Sequence, residues 1–480
     1  MRKMFAIMLA AATGAAAALD VELEELAGKS WYGLYFNGEK AGYAVTEIAV
    51  DDDGVITVME EARFMISMAG ARQDMRTYVQ RIYSPEGVLE TINARVEDPS
   101  GESVFRAEIE GDTMTLRSEM GGGVAVQEAP APTESLADAL KNKRLVSGEA
   151  RVGDQISYTL YDPILQQEIS GSARIEEEEM RMFQGAETRV FKVRSTMEPV
   201  GLETVSYVTE DGVTLEDVIA NIITMRLEPE ELATDVDYSN DVIVSNAAML
   251  DGPIPGVHER DYLQLWLRGP LAEDQLYNDN RQRLEPVNGH FFFEAVRHQL
   301  DDDFTPAQIP VENDEVSEWL EPSLFIQSGD ERIIAKAREI VGDERDALQA
   351  TELLCRWVYE NMRTTFSAQL SNALEVLENL EGDCTEHSVL FIGLARAAGL
   401  PAREVAGLVY VANPEPGFYF HQWAKVWVGE WIDVDPTFGE VQVGPTHIKL
   451  SEGDLFEQTR LLPLIGQIEV EVIEDEDTPG

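Results

Sequence analysis

The sequence predicts an α+β protein, with antiparallel β structure in its first half and a mixed unit of helices and sheet near its end. Three observations carry this. From about Ser30 to Met225, short runs rich in Val, Ile, Tyr and Thr are separated by Gly-containing turns, which is strand and hairpin patterning. From about Asp330 to Met362 the apolar residues recur instead at helical spacing. The chain has 480 residues, a mass of 53.4 kDa and 44% hydrophobic side chains, which leaves room for about two to four domains.

Met1 to Ala18 has the form of an export signal. Arg2 and Lys3 precede the apolar run Met4 to Ala12, and Ala15 to Ala18 supply small residues for cleavage. Cleavage near Ala18 predicts a periplasmic or secreted bacterial protein. No later stretch reaches the length of a membrane span.

Residues 19–245 read as the β region, in two halves at about 30–120 and 150–230. Tyr32 to Phe36, Ala44 to Ile48 and Tyr78 to Tyr83 have strand composition, with turns at Asn37-Gly38, Asp53-Gly54 and Pro85-Glu-Gly87. Arg81 to Glu90 is echoed by Val205 to Glu216, each a strand, a turn and a strand. A loop rich in Gly, Ala and Pro, Gly122 to Pro132, separates the halves. In pattern the region resembles the curved sheets of periplasmic carrier and lipoprotein-localisation-like domains, which implies a concave apolar face. The residues themselves favour a spacer or a protein-binding platform.

Residues 246–315 read as a small linking β unit, from the turns at Pro253, Pro255 and Pro270 and the runs Tyr262 to Leu267 and Phe291 to Phe293. Residues 316–462 read as a catalytic core. Residues 463–480 read as an acidic tail, frayed from about Val470.

Charge narrows the partners. Asp and Glu number 89 against 37 Lys and Arg, a formal net charge of −52. Phosphate binding needs clustered cations, so nucleic acid is excluded as a partner, and adhesion to anionic lipid is disfavoured. The acidic excess is spread along the chain, which suits a salty exterior where self-repulsion is screened.

The chemistry concentrates in three places. Cys384 sits in Glu381-Gly-Asp-Cys-Thr-Glu-His387, followed by the apolar run Val389 to Leu394. A thiol reacts as its thiolate, and the start of a helix favours negative charge and offers free N–H groups. His421 opens His421-Gln-Trp-Ala-Lys-Val-Trp427, and Asp435 lies in Trp431-Ile-Asp-Val-Asp-Pro-Thr437. Two strands joined at Gly429-Glu430 would bring imidazole and carboxylate together, completing a Cys-His-Asp nucleophilic triad. Asp433 shares a strand face with Asp435 by alternation and competes for the same role. Cys355, inside the apolar helical run Leu353 to Val358, reads as core, and no disulfide is expected.

Residues from about 320 to 455 resemble the transglutaminase-like superfamily in its bacterial secreted branch. The stretches that carry the resemblance are Gly382-Asp-Cys384, Leu394 to Arg403, Val405 to Val409, Phe420-His-Gln-Trp423, Trp431 to Thr437 and Thr446-His-Ile-Lys-Leu450. The resemblance implies a papain-like core, in which a helix carrying Cys384 packs on an antiparallel sheet carrying His421 and Asp435. It implies Cys384 as nucleophile, His421 as base and Asp435 as the orienting acid. Two residues depart from the pattern. Gln422 replaces a small residue, and Lys425 replaces an acidic one on the strand expected to line the site.

The combined expectation is an exported cysteine acyl-transfer enzyme acting on peptide or isopeptide amides of a protein or peptide substrate, more hydrolytic than crosslinking. The alternative is a non-catalytic binding or scaffold protein that uses the acidic β region. Trp357 and Gln369 are upstream candidates for a second oxyanion donor. No cofactor or metal is expected. His387 lacks further ligands at zinc spacing, and Asp51 to Gly54 and Asp301 to Asp303 lack the spaced ligands of a calcium loop.

Overall fold

The computed structural model describes residues 27–473, apart from 37, 69–70, 99–100, 121–122, 148–149, 199–201, 237–245, 258–259, 298, 302, 324, 366–371, 414, 454–456 and 459. The expected signal, Met1 to Ala18, lies outside the described residues, as does Gln369. The chain divides into two compact units, residues 1–240 and 241–480.

The first unit is nearly all antiparallel β. Eight strands between Gly28 and Pro130 each pair with the next in sequence, and so do six between Gln155 and Leu227. The two runs join where Gly28–Phe36 lies antiparallel to Ile223–Leu227, with Tyr32 opposite Leu227 and Phe36 opposite Ile223. The expected halves are therefore two arms of one fourteen-stranded sheet among the described residues. Alternation selects the core face, and Leu34, Phe64, Tyr83, Phe105 and Val193 are fully buried.

The echo between Arg81 to Glu90 and Val205 to Glu216 has a local cause. In both, the Gly N–H closes the turn onto the first residue's carbonyl, Gly87 to Ser84 at 2.8 Å and Gly212 to Thr209 at 3.0 Å. In both, the first residue's hydroxyl accepts from the N–H four residues on, Val88 to Ser84 and Val213 to Thr209. The same turn recurs at Asp51 to Gly54, where the Asp51 carboxylate accepts from the Val55 N–H at 2.9 Å. Positive φ at Gly54, Gly87 and Gly212 explains the shared glycine. The echo reflects a repeated turn chemistry.

In the second unit, strands Ala402–Val411 (β1), Gly417–Trp427 (β2), Trp431–Asp435 (β3), Glu440–Val441 (β4) and His447–Glu452 (β5) form a sheet ordered β4-β3-β2-β1-β5. Four helices belong to the same unit: Glu331–Val341 (α1), Ala347–Asn361 (α2), Ala373–Asn379 (α3) and Cys384–Ala397 (α4). α4 is buried continuously from Glu386 to Ala395, as an all-round apolar helix must be. Its Val389, Leu390, Phe391, Ile392 and Leu394 share a core with Ala424, Val426, Ile432 and Val434 of β2 and β3. Each such side chain is worth roughly 1.5–3 kcal/mol on burial, so the helix that begins at Cys384 is held firmly in place.

Strands Tyr262–Arg268, Gln282–Val287 and His290–Val296 build a further sheet in this unit, and Glu469–Val472 adds an edge strand to it. The tail expected to fray from Val470 is thus ordered through Val472, where Val470 pairs with Leu267 and Val472 with Leu265. Its apolar residues alternate with Glu469 and Glu471, and this gives the strand one face to bury. Among the described residues, no helix is long and apolar enough to cross a membrane.

Candidate active site

The start of α4 is built by its own sequence. The Asp383 carboxylate accepts from the Thr385 N–H at 2.8 Å, and Glu386 accepts from the Asp383 N–H at 2.9 Å, closing a capping box. Gly382 makes that closure possible. Its φ is +154°, and a Cβ there would lie 2.3 Å from the Glu386 Cβ. Cys384 is consequently the first helical residue, at the positive end of the macrodipole, and its thiol is free and half-buried. The Ser388 hydroxyl donates to the Cys384 carbonyl at 2.8 Å and to the Gln422 carbonyl at 3.1 Å, linking the first turn of α4 to β2 beside His421.

The β2–β3 hairpin brings the other two groups together. Ala424 pairs with Val434 and Lys425 with Asp433, so the register carries Asp435 opposite Trp423, and His421, two residues along β2 on the same face, reaches it diagonally. His421 Nε2 lies 2.7 Å from Asp435 Oδ2. Asp435 is completely buried and His421 nearly so. The other carboxylate oxygen, Oδ1, accepts from the N–H groups of Thr437 and Phe438 at 2.8 and 3.2 Å. The Phe438 ring stacks on His421 with centroids 5.1 Å apart.

The electrostatics follow from this packing. Burial alone would lower the His421 pKa. The charges of Asp435 and Cys384, with a hydrogen bond to each, outweigh burial and raise it from 6.5 to about 10. Burial pushes the Asp435 carboxyl up, but His421 and His447 hold it well below the usual carboxylate range. Cys384, His421 and Asp435 are thus one interacting group. With Nε2 committed to Asp435, Nδ1 of His421 is the nitrogen available to the thiol.

Asp433 is engaged elsewhere. Its carboxylate accepts from the Trp423 indole N–H at 3.2 Å and from Arg281 Nε at 3.1 Å, with Lys449 Nζ at 3.5 Å. Against the cost of burial, Lys449, Arg281 and Lys425 hold it far below the usual carboxylate range. Lys425 belongs to the same buried network, 2.6 Å from Glu452. It is therefore not the substrate-lining residue its strand position suggested, because a buried cation must be paired. Gln422 is also buried and donates to Glu404 at 3.1 Å.

His447 had no role in the sequence reading. It is 1% exposed, and its Nε2 lies 3.0 Å from Asp435 Oδ2, so two imidazoles share one carboxylate oxygen. The available signal was its place in Thr446-His-Ile-Lys-Leu450, but spacing alone did not say which strand β5 would adjoin. His421, Asp435 and His447 offer ligand atoms within 4.8 Å of one another, so a metal ion could be held there; the two hydrogen bonds to Asp435 already account for the clustering. His387 is buried with Nδ1 2.7 Å from the Asp383 carbonyl, and burial lowers its pKa. Cys355 is fully buried, and burial pushes its thiol up to about 12. Trp357 packs on the α-helical core under the Lys336 ammonium.

Residues 334–436 match the transglutaminase-like superfamily. That segment, which contains Cys384, His421 and Asp435, is a transglutaminase-like core. An uncharacterized protein of Haemophilus influenzae is 29% identical over 123 residues, covering 25% of this chain and 33% of that protein. The chain thus spans about a third of the length of the curated relative it matches. A candidate cysteine protease from Cytophaga hutchinsonii aligns at 17% identity and a TM-score of 0.31, covering 45% of this chain and 89% of that one. A β-barrel-like protein of unknown function from Brucella abortus aligns at 9% identity and a TM-score of 0.32, covering 42% of this chain and 95% of that one.

Proposed function

We propose that the protein is a cysteine acyl-transfer enzyme acting on peptide or isopeptide amides, with Cys384 as nucleophile, His421 as base and Asp435 as orienting acid. The observation that carries this is the position of His421, which interacts with a carboxylate through Nε2 and with the thiol of a helix-initial cysteine. A cysteine attacks as its thiolate, and His421 stands where it can take the thiol's proton and hold it as an imidazolium beside Asp435.

In the first step the Cys384 sulfur bonds to the substrate carbonyl carbon, and the carbonyl π electrons move to oxygen. The Cys384 N–H at the start of α4 stabilises that oxyanion. As the carbonyl re-forms, the C–N bond breaks and the amine leaves with the proton from His421. The product is a thioester on Cys384. Water, deprotonated by His421, then attacks the thioester, and the acid and the free thiol are released. Asp435 keeps its proton-free form throughout and holds the imidazole in orientation. Following the resemblance to the secreted bacterial branch, we assign water as acceptor in preference to a lysine amine, and an exported setting from Arg2 to Ala18.

The test is amide turnover by Cys384→Ala and Cys355→Ala. The first should lose about 10⁴-fold or more, and the second should keep its chemistry. Activity retained in Cys384→Ala sinks the proposal. Efficient incorporation of a fluorescent primary amine into acceptor protein would replace hydrolysis by crosslinking.

A further inference from the structure

We propose that His447 is a positioning residue for the reaction: it shares Asp435 Oδ2 with His421 and so limits how closely the carboxylate draws the base. This rests on the acyl-transfer function proposed above. Asp435 is completely buried. Its Oδ1 accepts from the N–H groups of Thr437 and Phe438 at 2.8 and 3.2 Å. Its Oδ2 lies 2.7 Å from His421 Nε2 and 3.0 Å from His447 Nε2. Asp435 is ionised and can only accept, so each of these ring nitrogens presents a hydrogen to it. Two donors on each oxygen match its two lone-pair positions. With His447 in place, Oδ2 is held between two rings. Without it, nothing on that side opposes His421. The unshared hydrogen bond tightens, and the imidazole is drawn toward the carboxylate, away from the Cys384 thiol. It also gives up its proton less readily to the leaving amine.

The fold holds His447 at that distance from two directions. Its ring stands edge-on to Trp423, with centroids 5.2 Å apart. Its backbone is fixed from outside the sheet. β5 is the last strand in its sheet, so its outer N–H and C=O groups lack a strand to pair with. Side chains from residues 277–282 take the place of that strand. Arg281 Nη1 donates to the His447 carbonyl at 2.7 Å. Gln282 Nε2 donates to the Lys449 carbonyl at 2.9 Å, and Gln282 Oε1 accepts from the Lys449 N–H at 2.8 Å. The Tyr277 hydroxyl accepts from the Glu452 N–H at 3.2 Å. Arg281 and Gln282 are both buried. Arg281 Nε also donates to Asp433 on β3 at 3.1 Å, so one guanidinium ties together the two strands that carry Asp435 and His447. The segment beside the second sheet thereby sets where β5 lies, and with it the reach of His447 to Asp435.

The experiment compares His447→Gln, His447→Asn and His447→Leu in the full chain. A glutamine amide reaches the place of Nε2 and keeps a donor for Asp435. An asparagine amide is one methylene shorter and falls short of it, and leucine has no donor. With fluorescein-labelled casein as substrate, kcat should fall about tenfold in the Asn and Leu variants with KM nearly unchanged, and glutamine should recover most of the loss. In the ¹H–¹⁵N spectrum of histidine-labelled protein, the His421 Nε2–H proton should move downfield in the Asn and Leu variants and stay in place in the Gln variant. Urea unfolding establishes that each variant is folded, and if leucine does not fold, the Asn–Gln comparison decides. The proposal is overturned if Asn turns over like wild type, if Gln is as slow as Asn, or if the His421 resonance stays in place in the Asn variant. Failure of the underlying reaction is read separately, as failure of iodoacetamide to label Cys384 in the native chain. The His421 resonance needs no substrate and still decides whether Oδ2 is shared.

Discussion

The two units keep their charges in different places. In the N-terminal sheet, pairs such as Arg95–Glu102 and Arg117–Glu119 lie across or along strands with both side chains close to half exposed. Arg81, buried with Glu60 and Glu134, and Lys40, paired with the buried Glu228, are contrasting cases within that unit. In the C-terminal unit, by contrast, Asp433, Arg281, Lys449, Lys425 and Glu452 form a buried network directly beside the proposed site. Exposed pairs are solvated on both sides and are individually weak. Buried pairs are weak evidence for stability as a set, yet removing one member strands its partners. The difference teaches that a substitution of one charge has meaning only with its surroundings specified. It also explains how neighbouring carboxylates on β3 can differ so much: Asp435 faces two imidazoles, and Asp433 faces cations.

The largest expected effect tests that contrast directly. Asp435→Asn should fold and lose about 10⁴-fold in turnover, because the amide cannot hold the imidazole in the required hydrogen-bonded form. Asp433→Asn should instead destabilise the protein by about 3–5 kcal/mol, since Arg281 and Lys449 lose their buried counter-charge, while folded molecules keep most of their turnover. Urea unfolding and amide turnover on both variants separate the two effects. If Asp433→Asn is the catalytically dead variant, the assignment of roles on β3 is reversed.

The next effect is in pH. The folded-state pKa of His421 is raised from 6.5 to about 10. Its interaction with Asp435 therefore contributes stability that is fully present below about 6.5 and is lost as pH rises through about 10. The melting-temperature gap between wild type and Asp435→Asn should be wide near pH 6 and should narrow on approaching pH 10. Turnover should fall on an alkaline limb near pH 10, and that limb should move down in Asp435→Asn. A gap that widens with pH contradicts the assigned charges.

The smallest effects belong to the exposed charges. Arg95→Ala should change stability by less than about 1 kcal/mol, measured by the same urea titration. For the whole chain, with formal charge −52, melting temperature should rise with NaCl as the Debye length falls from about 10 Å at 0.1 M to about 3 Å at 1 M. Sulfate at matched ionic strength controls for strengthened apolar burial. A flat response would mean that the acidic excess is already solvated without strain.

Much of the fold was legible because its causes are local. The hairpins at Asp51, Ser84 and Thr209 are set by a side chain and a glycine three residues apart. The start of α4 is set within Gly382 to Glu386 by a box that closes on itself. Helical spacing located α1 and α2, and the sharing of a hairpin by His421 and Asp435 followed from the turn between their strands. These interactions span few residues, so composition and spacing carry them.

The tertiary structure alone decided the rest. Alternation placed Asp433 and Asp435 on one face but could not say which would meet His421, because that depends on register and on what lies opposite. Arg281 reaches Asp433 from 152 residues away, and β5 delivers His447 to Asp435 by pairing with β1 out of chain order. Strand Glu469–Val472 found its partner more than two hundred residues upstream. The two arms of the N-terminal sheet joined through its first and last described strands, Gly28–Phe36 and Ile223–Leu227. What unites these cases is that the partner of a buried group, or of an unpaired strand edge, is chosen by the packed chain as a whole. The local sequence specifies a donor, an acceptor or an edge, and only the assembled core determines what satisfies it.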